Sequence, residues 1–161
     1  MRTMIAVAIG MLGGAAATGT LAQGNRLPGV NAVNHVGISV EHFDQALAFY
    51  TQKMGFREAF VVRDERGQPV LAYVQVSRTT FIELLPATAS RRPGLDHLGL
   101  HVEDARATIA ALKQRGITVE DARIGRTKAV IANALDPGGV RLELTELPPE
   151  SLQAKAIESW K

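Results

Sequence analysis

Cysteine is absent from all 161 residues. That excludes a disulfide framework and thiolate metal ligation, and no lipid-modified cysteine can follow an export signal. It is compatible with an oxidising compartment. An excess of charge of one sign is missing too, with 18 Lys and Arg against 16 Asp and Glu. Only Arg91 and Arg92 are adjacent, so no basic stripe tracks phosphates and no nucleic-acid partner is expected. No segment is long and polar enough to read as disordered, and the length suits one domain with a single core.

What is present divides at once into a leader and a body. Arg2 gives a short positive start, and Met4 to Ala17 are apolar or Gly. Thr20-Leu21-Ala22 offers small residues where a signal peptidase reads. The expectation is a signal peptide over 1–22, cleaved before Gln23, and a periplasmic or secreted protein with no membrane attachment after cleavage. The alternative is an uncleaved anchor, because Met4 to Gln23 carries no charge. Its glycines and weak hydrophobicity argue against that.

Within the body the chain repeats itself. Asn34-His35-Val36-Gly37-Ile38-Ser39-Val40-Glu41 matches Asp96-His97-Leu98-Gly99-Leu100-His101-Val102-Glu103 at a lag of 62, and Phe81-Ile82-Glu83-Leu84-Leu85 matches Arg141-Leu142-Glu143-Leu144-Thr145 at a lag of 60. Residues 23–161 therefore read as one domain of two modules, 32–87 and 94–147, with a helical tail 148–161. Each module has the order βαβββ, an α+β pattern. In the first, an alternating strand over 33–40 leads into a helix over 42–53 with Phe43, Leu47, Tyr50 and Met54 on one face and Gly55 as its stop. Strands near 58–64, 70–77 and 79–85 follow. The second has a strand at 96–102, a helix at 104–115 ended by Gly116, and strands near 119–123, 128–136 and 140–144. The tail reads as an amphipathic helix packing through Leu152, Ile157 and Trp160.

Strand alternation sorts the side chains by face. Val36, Ile38 and Val40 take the helix side, leaving His35, Gly37 and Ser39 opposite; Leu98, Leu100 and Val102 leave His97, Gly99 and His101. Ile82 with Leu84, and Leu142 with Leu144, leave Glu83 and Glu143 on the non-helix face. One His on a strand is usually a surface or hydrogen-bonded residue, and one Glu at a strand end is usually solvated. Four at matched points of two repeats are read instead as ligands of a divalent metal: His35, Glu83, His97 and Glu143. Imidazole favours zinc, nickel, cobalt, manganese or iron over calcium and magnesium, and four protein ligands leave coordination positions free. Gly37 and Gly99 weaken a strand interior, which implies open space beside them for a close approach. His101 shares the open face and either lines the pocket or is plainly exposed. His42 is expected in solvent, and Tyr50 and Phe43 in the core.

His-Val-Gly-Ile-Ser-Val at 35–40 with Tyr-Thr-Gln-Lys-Met-Gly-Phe at 50–56 resembles the opening of the vicinal oxygen chelate superfamily, the glyoxalase, bleomycin resistance and dioxygenase group. Ile-Glu-Leu-Leu-Pro at 82–86, Leu-Asp-His-Leu-Gly-Leu-His-Val at 95–102 and Leu-Asp-Pro-Gly-Gly-Val-Arg-Leu-Glu-Leu at 135–144 are similar to its other signatures. The family's usual Asp-Pro-Asp-Gly turn is Asp136-Pro137-Gly138-Gly139 here, a change that touches no ligand. The resemblance covers nearly all of 32–147. It implies a curled mixed sheet cupping a metal held by the same four residues, and a small-molecule substrate chelating the ion through neighbouring oxygens; a homodimer is within its expectations.

The full ligand set is more similar to glyoxalase I and methylmalonyl-CoA epimerase than to bleomycin-type binding proteins, which lack the ligands. That implies a lyase or isomerase moving a proton next to a carbonyl, with Glu143 favoured over Glu83 as base. An iron-dependent extradiol-type dioxygenase and a non-catalytic binding protein stay open as alternatives. Export conflicts with glutathione adducts and coenzyme A esters as substrates, which favours another small oxygenated compound.

Overall fold

The computed structural model describes residues 27–161; the expected signal segment and its cleavage point lie outside the described residues. The first half contains β1 (Val30–Val40), α1 (Phe43–Ala48) widening into a π-helical turn (Phe49–Lys53), β2 (Arg57–Arg63), β3 (Pro69–Ser77) and β4 (Thr80–Pro86). The second contains β5 (Gly94–Val102), α2 (Ala105–Gln114), β6 (Arg123–Ile124), β7 (Val130–Leu135) and β8 (Arg141–Glu146), followed by α3 (Leu152–Glu158). All eight strands form one curled mixed sheet in the order β2-β3-β4-β1-β5-β8-β7-β6. The two first strands of the repeat therefore meet at the centre, β1 antiparallel to β5, while each runs parallel to the last strand of its own module.

Apolar alternation sends one face of the sheet to the helices. Phe43 packs with Ala72, Val74 and Leu84 under α1, and Ile109 and Leu112 pack with Val102, Ala132 and Leu144 under α2. Asp104 caps α2 by accepting from the Ala107 N–H at 2.9 Å, and Gly116 at φ 77° ends it, as its spacing predicts.

Three details differ from the sequence reading. The first helix is not regular to its end: the Thr51 hydroxyl takes the Leu47 carbonyl at 2.8 Å, and the ladder widens there. The widening carries Met54 off the packing face, and it is 51% exposed. The strand expected at 119–123 is reduced to a single bridge, Val119 to Ala134, before the two-residue β6, because Val119 turns into the core while Asp121 swings out to Lys113 at 2.9 Å. In α3 the buried residues are Gln153 and Ala156, with Leu152 and Ile157, and Trp160 beyond the helix end, only partly covered. The reason is that α3 lies on the concave face, where Ala156 and Ile157 join Leu71, Tyr73, Phe81 and Leu85.

Candidate metal centre

The antiparallel register of β1 on β5 places His35 opposite Gly99 and Gly37 opposite His97. Each imidazole therefore lies flat over the other strand's glycine. A Cβ at Gly37 would stand 2.1 Å from the His97 ring, and one at Gly99 would stand 2.0 Å from the His35 ring. The space beside these glycines is thus filled by histidine, not left open as the sequence suggested. The two rings meet edge to face with their Nε2 atoms 2.9 Å apart.

The acids arrive from the flanking strands. Glu83 on β4 pairs with Gly37 and Glu143 on β8 pairs with Gly99, so the two carboxylates stand on opposite sides of the histidine pair. Glu83 Oε2 lies 3.0 Å from His97 Nε2 and 3.7 Å from His35 Nε2. Glu143 Oε1 lies 3.5 Å from His35 Nε2 and 4.0 Å from His97 Nε2. The structure brings all four expected residues together, all of them buried. The tightest group is His35, Glu83 and His97, whose ligand atoms lie within 4.8 Å of one another.

Donor chemistry decides whether a cation suits this cluster. The Nδ1 atoms are taken by neighbours in sequence, His35 by Asn34 Oδ1 at 2.9 Å and His97 by Asp96 Oδ1 at 2.8 Å. Both oxygens accept, and in the tautomer in which both Nδ1 atoms donate to them, both Nε2 atoms turn lone pairs toward each other and toward the carboxylates. Four electron-rich atoms at these distances repel unless positive charge lies among them, and buried charge is stable only when paired. The residues fit a divalent ion, with Asn34 and Asp96 holding the ligand rings from behind. Arg141 in turn bonds Asp96, and its Nη2 lies 3.0 Å from His97 Nδ1.

Tyr73, opposite Glu83 in the β3–β4 register, also belongs to the site. Its ring centroid is 5.3 Å from that of His35, and its phenol has polar contacts with Glu83 and Gln153. Burial first, then the charges of Glu83 and Glu143, push that phenol well above its ordinary range, so it stays a hydrogen-bond donor. Nothing in the sequence marks Tyr73, because its counterpart opposite Glu143 is Asn133. Asn34 and Asp96 had a signal, being matched positions beside matched histidines. His101 is half-buried and outside the tight group; burial lowers its imidazole against the opposing pull of Glu103. His42 is exposed, Phe43 is buried and Tyr50 packs partly buried in the α1 core.

Comparison with known proteins agrees with the fold. Residues 32–144 match the model of the Glyoxalase/Bleomycin resistance protein/Dioxygenase superfamily, and the chain belongs to that family. It is 30% identical over 156 residues to a 2-epi-5-epi-valiolone epimerase from Actinomyces sp, covering 78% of this chain and 84% of that protein. The crystal structure of methylmalonyl-CoA epimerase from Mycobacterium tuberculosis superposes with a TM-score of 0.66 at 28% identity, over 75% of this chain and 91% of the other. A methylmalonyl-CoA epimerase from Streptomyces coelicolor, in complex with 2-nitronate-propionyl-CoA, shares the fold with a TM-score of 0.65 at 22% identity, over 76% and 98%.

Proposed function

We propose that the protein is a metal-assisted epimerase acting on a small oxygenated compound at a carbon next to a carbonyl. The observation that carries this reading is the placement of two buried carboxylates on opposite sides of one histidine pair whose Nε2 atoms converge. Inversion at carbon needs a proton removed on one face and returned on the other, and one acid on each side suits that exchange. Similarity to two proteins named as epimerases supports the same class. A divalent ion held by His35, His97 and Glu83 would polarise the substrate carbonyl and stabilise negative charge as the neighbouring carbon loses its proton. Glu143 lies outside the tightest group and is the favoured base, taking the proton at Oε1.

The test is deuterium exchange from solvent into a panel of 2-hydroxy-carbonyl and 2-keto compounds, with metal content measured on the same samples. Glu143→Gln should lower exchange by about a hundredfold while retaining metal, because an amide cannot accept the proton. Loss confined to Glu83→Gln would move the base to the first module. Iron content with oxygen uptake on catechols would favour a dioxygenase, and absence of metal would favour a binding protein.

A further inference from the structure

The repeat makes the two rims of the cup equivalent, and the chain then treats them differently. Phe81 stands beside His35 on β4, and Arg141 stands at the matching place beside His97 on β8. Phe81 is buried, because α3 crosses that rim. The Leu152 N–H donates to the Thr127 carbonyl at 2.9 Å at one end of the helix. At the other, Gln75 and Arg57 donate to the Ala156 carbonyl at 3.3 and 3.5 Å, and Arg57 reaches Ser159 Oγ at 2.9 Å. The helix ties the second module's β6–β7 turn to β2 and β3 of the first, closing this side with Ala156 and Ile157 on Tyr73 and Phe81.

The opposite rim has no such cover among the described residues. The Arg141 side chain is 31% exposed there, and Leu135, its partner across the β7–β8 ladder, is 64% exposed. Arg91 Nε stands 3.6 Å from Asp96 Oδ2, and Arg141 bonds the other oxygen of the same carboxylate. Two guanidinium groups thus share one aspartate, which leaves one positive charge beside the histidines. Two carboxylates, two neutral imidazoles and a divalent ion sum to zero, so that charge is not consumed by the metal group. Arg141 gives one Nη2 proton to Asp96 and one Nη1 proton to Asn133 Oδ1 at 3.3 Å, with Glu143 Oε2 3.9 Å from Nη1, and its remaining N–H donors suit a carboxylate or phosphate.

We infer that substrate enters over the second module and carries an anionic group, carboxylate or phosphate, which Arg141 binds with support from Arg91. This rests on the metal-site reading above and adds the substrate class to it.

The experiment uses the full chain loaded with cobalt, whose visible spectrum reports bidentate ligands. The probes are acetohydroxamate, with a neutral tail, and the monohydroxamates of malonate and succinate and phosphonoacetohydroxamate, which add a carboxylate or a phosphonate to the same chelating group. At least one anionic probe should bind wild type about tenfold or more tighter than acetohydroxamate, since a charge-assisted hydrogen bond is worth about that factor. Arg141→Met should abolish this preference, Arg141→Lys should keep part of it, and raised salt should reduce it. Cobalt stoichiometry and acetohydroxamate affinity distinguish anion binding from a purely structural role through Asp96 and His97, which would weaken all probes alike. If Arg141→Met does not load cobalt, Arg91→Met, which touches no ligand ring, carries the test through a partial loss of preference. Equal affinity of wild type for neutral and anionic probes, or a preference kept in the variants, would overturn the inference while leaving the metal site standing. Failure of wild type to take up cobalt would overturn the metal reading and this inference with it.

Discussion

Glycine decides the geometry of this site more than any charged residue does. Gly37 and Gly99 have no need of an unusual backbone angle; what they supply is the missing methyl group over which the opposite histidine lies. Gly99→Ala should therefore push the His35 ring away, costing about 1–3 kcal/mol of stability and about tenfold or more in metal affinity. Isothermal titration with zinc and a thermal melt on the same samples check it. Gly116→Ala is the control, because at φ 77° with nothing within 4 Å it strains the backbone without touching the site. It should lower stability and leave metal stoichiometry at one. Replacing His35 or His97 by Ala should remove most bound metal, since each supplies one of few protein ligands.

Tyr73 gives a prediction of a different kind at the same scale. Its folded-state phenol is held well above the unfolded value, so its contribution to stability is present below that value and is lost as pH rises through the alkaline range. Tyrosinate absorbance followed during alkaline titration should contain a component that appears only with unfolding. That component should vanish in Tyr73→Phe.

Among the elements, the sheet was legible and the packing of α3 was not. His35, Glu83, His97 and Glu143 could be assigned to one face because alternation and a 60–62 residue lag constrain each strand twice. The same logic had nothing to say about which strands would pair across the repeat, and so it left the glycines facing empty space. It also misjudged the tail. Leu152 and Ile157 are the large apolar residues of α3 and Trp160 follows its end, yet Gln153 and Ala156 are the buried ones, because the helix lies against a polar site edge where Tyr73 and Gln75 offer hydrogen bonds. A single amphipathic turn outside the repeat carries no second copy to check it. Arg57 is the element's fastening, bonding Gln75, Ala156 and Ser159. Arg57→Ala should free the C-terminal end of the helix, seen as faster amide exchange over 152–159 with a stability loss of about 1–2 kcal/mol.

For the molecule as a whole, the expected leader and the site make separate demands. If the chain is exported as its first 22 residues suggest, mature protein from the cell envelope should begin at or near Gln23, which N-terminal sequencing reads directly. Full-length protein recovered from the cytosol would refute export and restore cytoplasmic substrates such as coenzyme A esters.

The central pairing of β1 with β5 has one more consequence. Each half of the chain brings one histidine and one glutamate to a seam that only the two halves together complete, and the covalent link between them is the Pro- and Arg-containing stretch from 86 to 94. A metal there is a bridging ligand between two would-be subunits, so its affinity and their association are thermodynamically coupled. Polypeptides ending at Arg92 and beginning at Pro93, expressed together, should assemble into a noncovalent heterodimer. Zinc should tighten it, and a chelator should dissociate it.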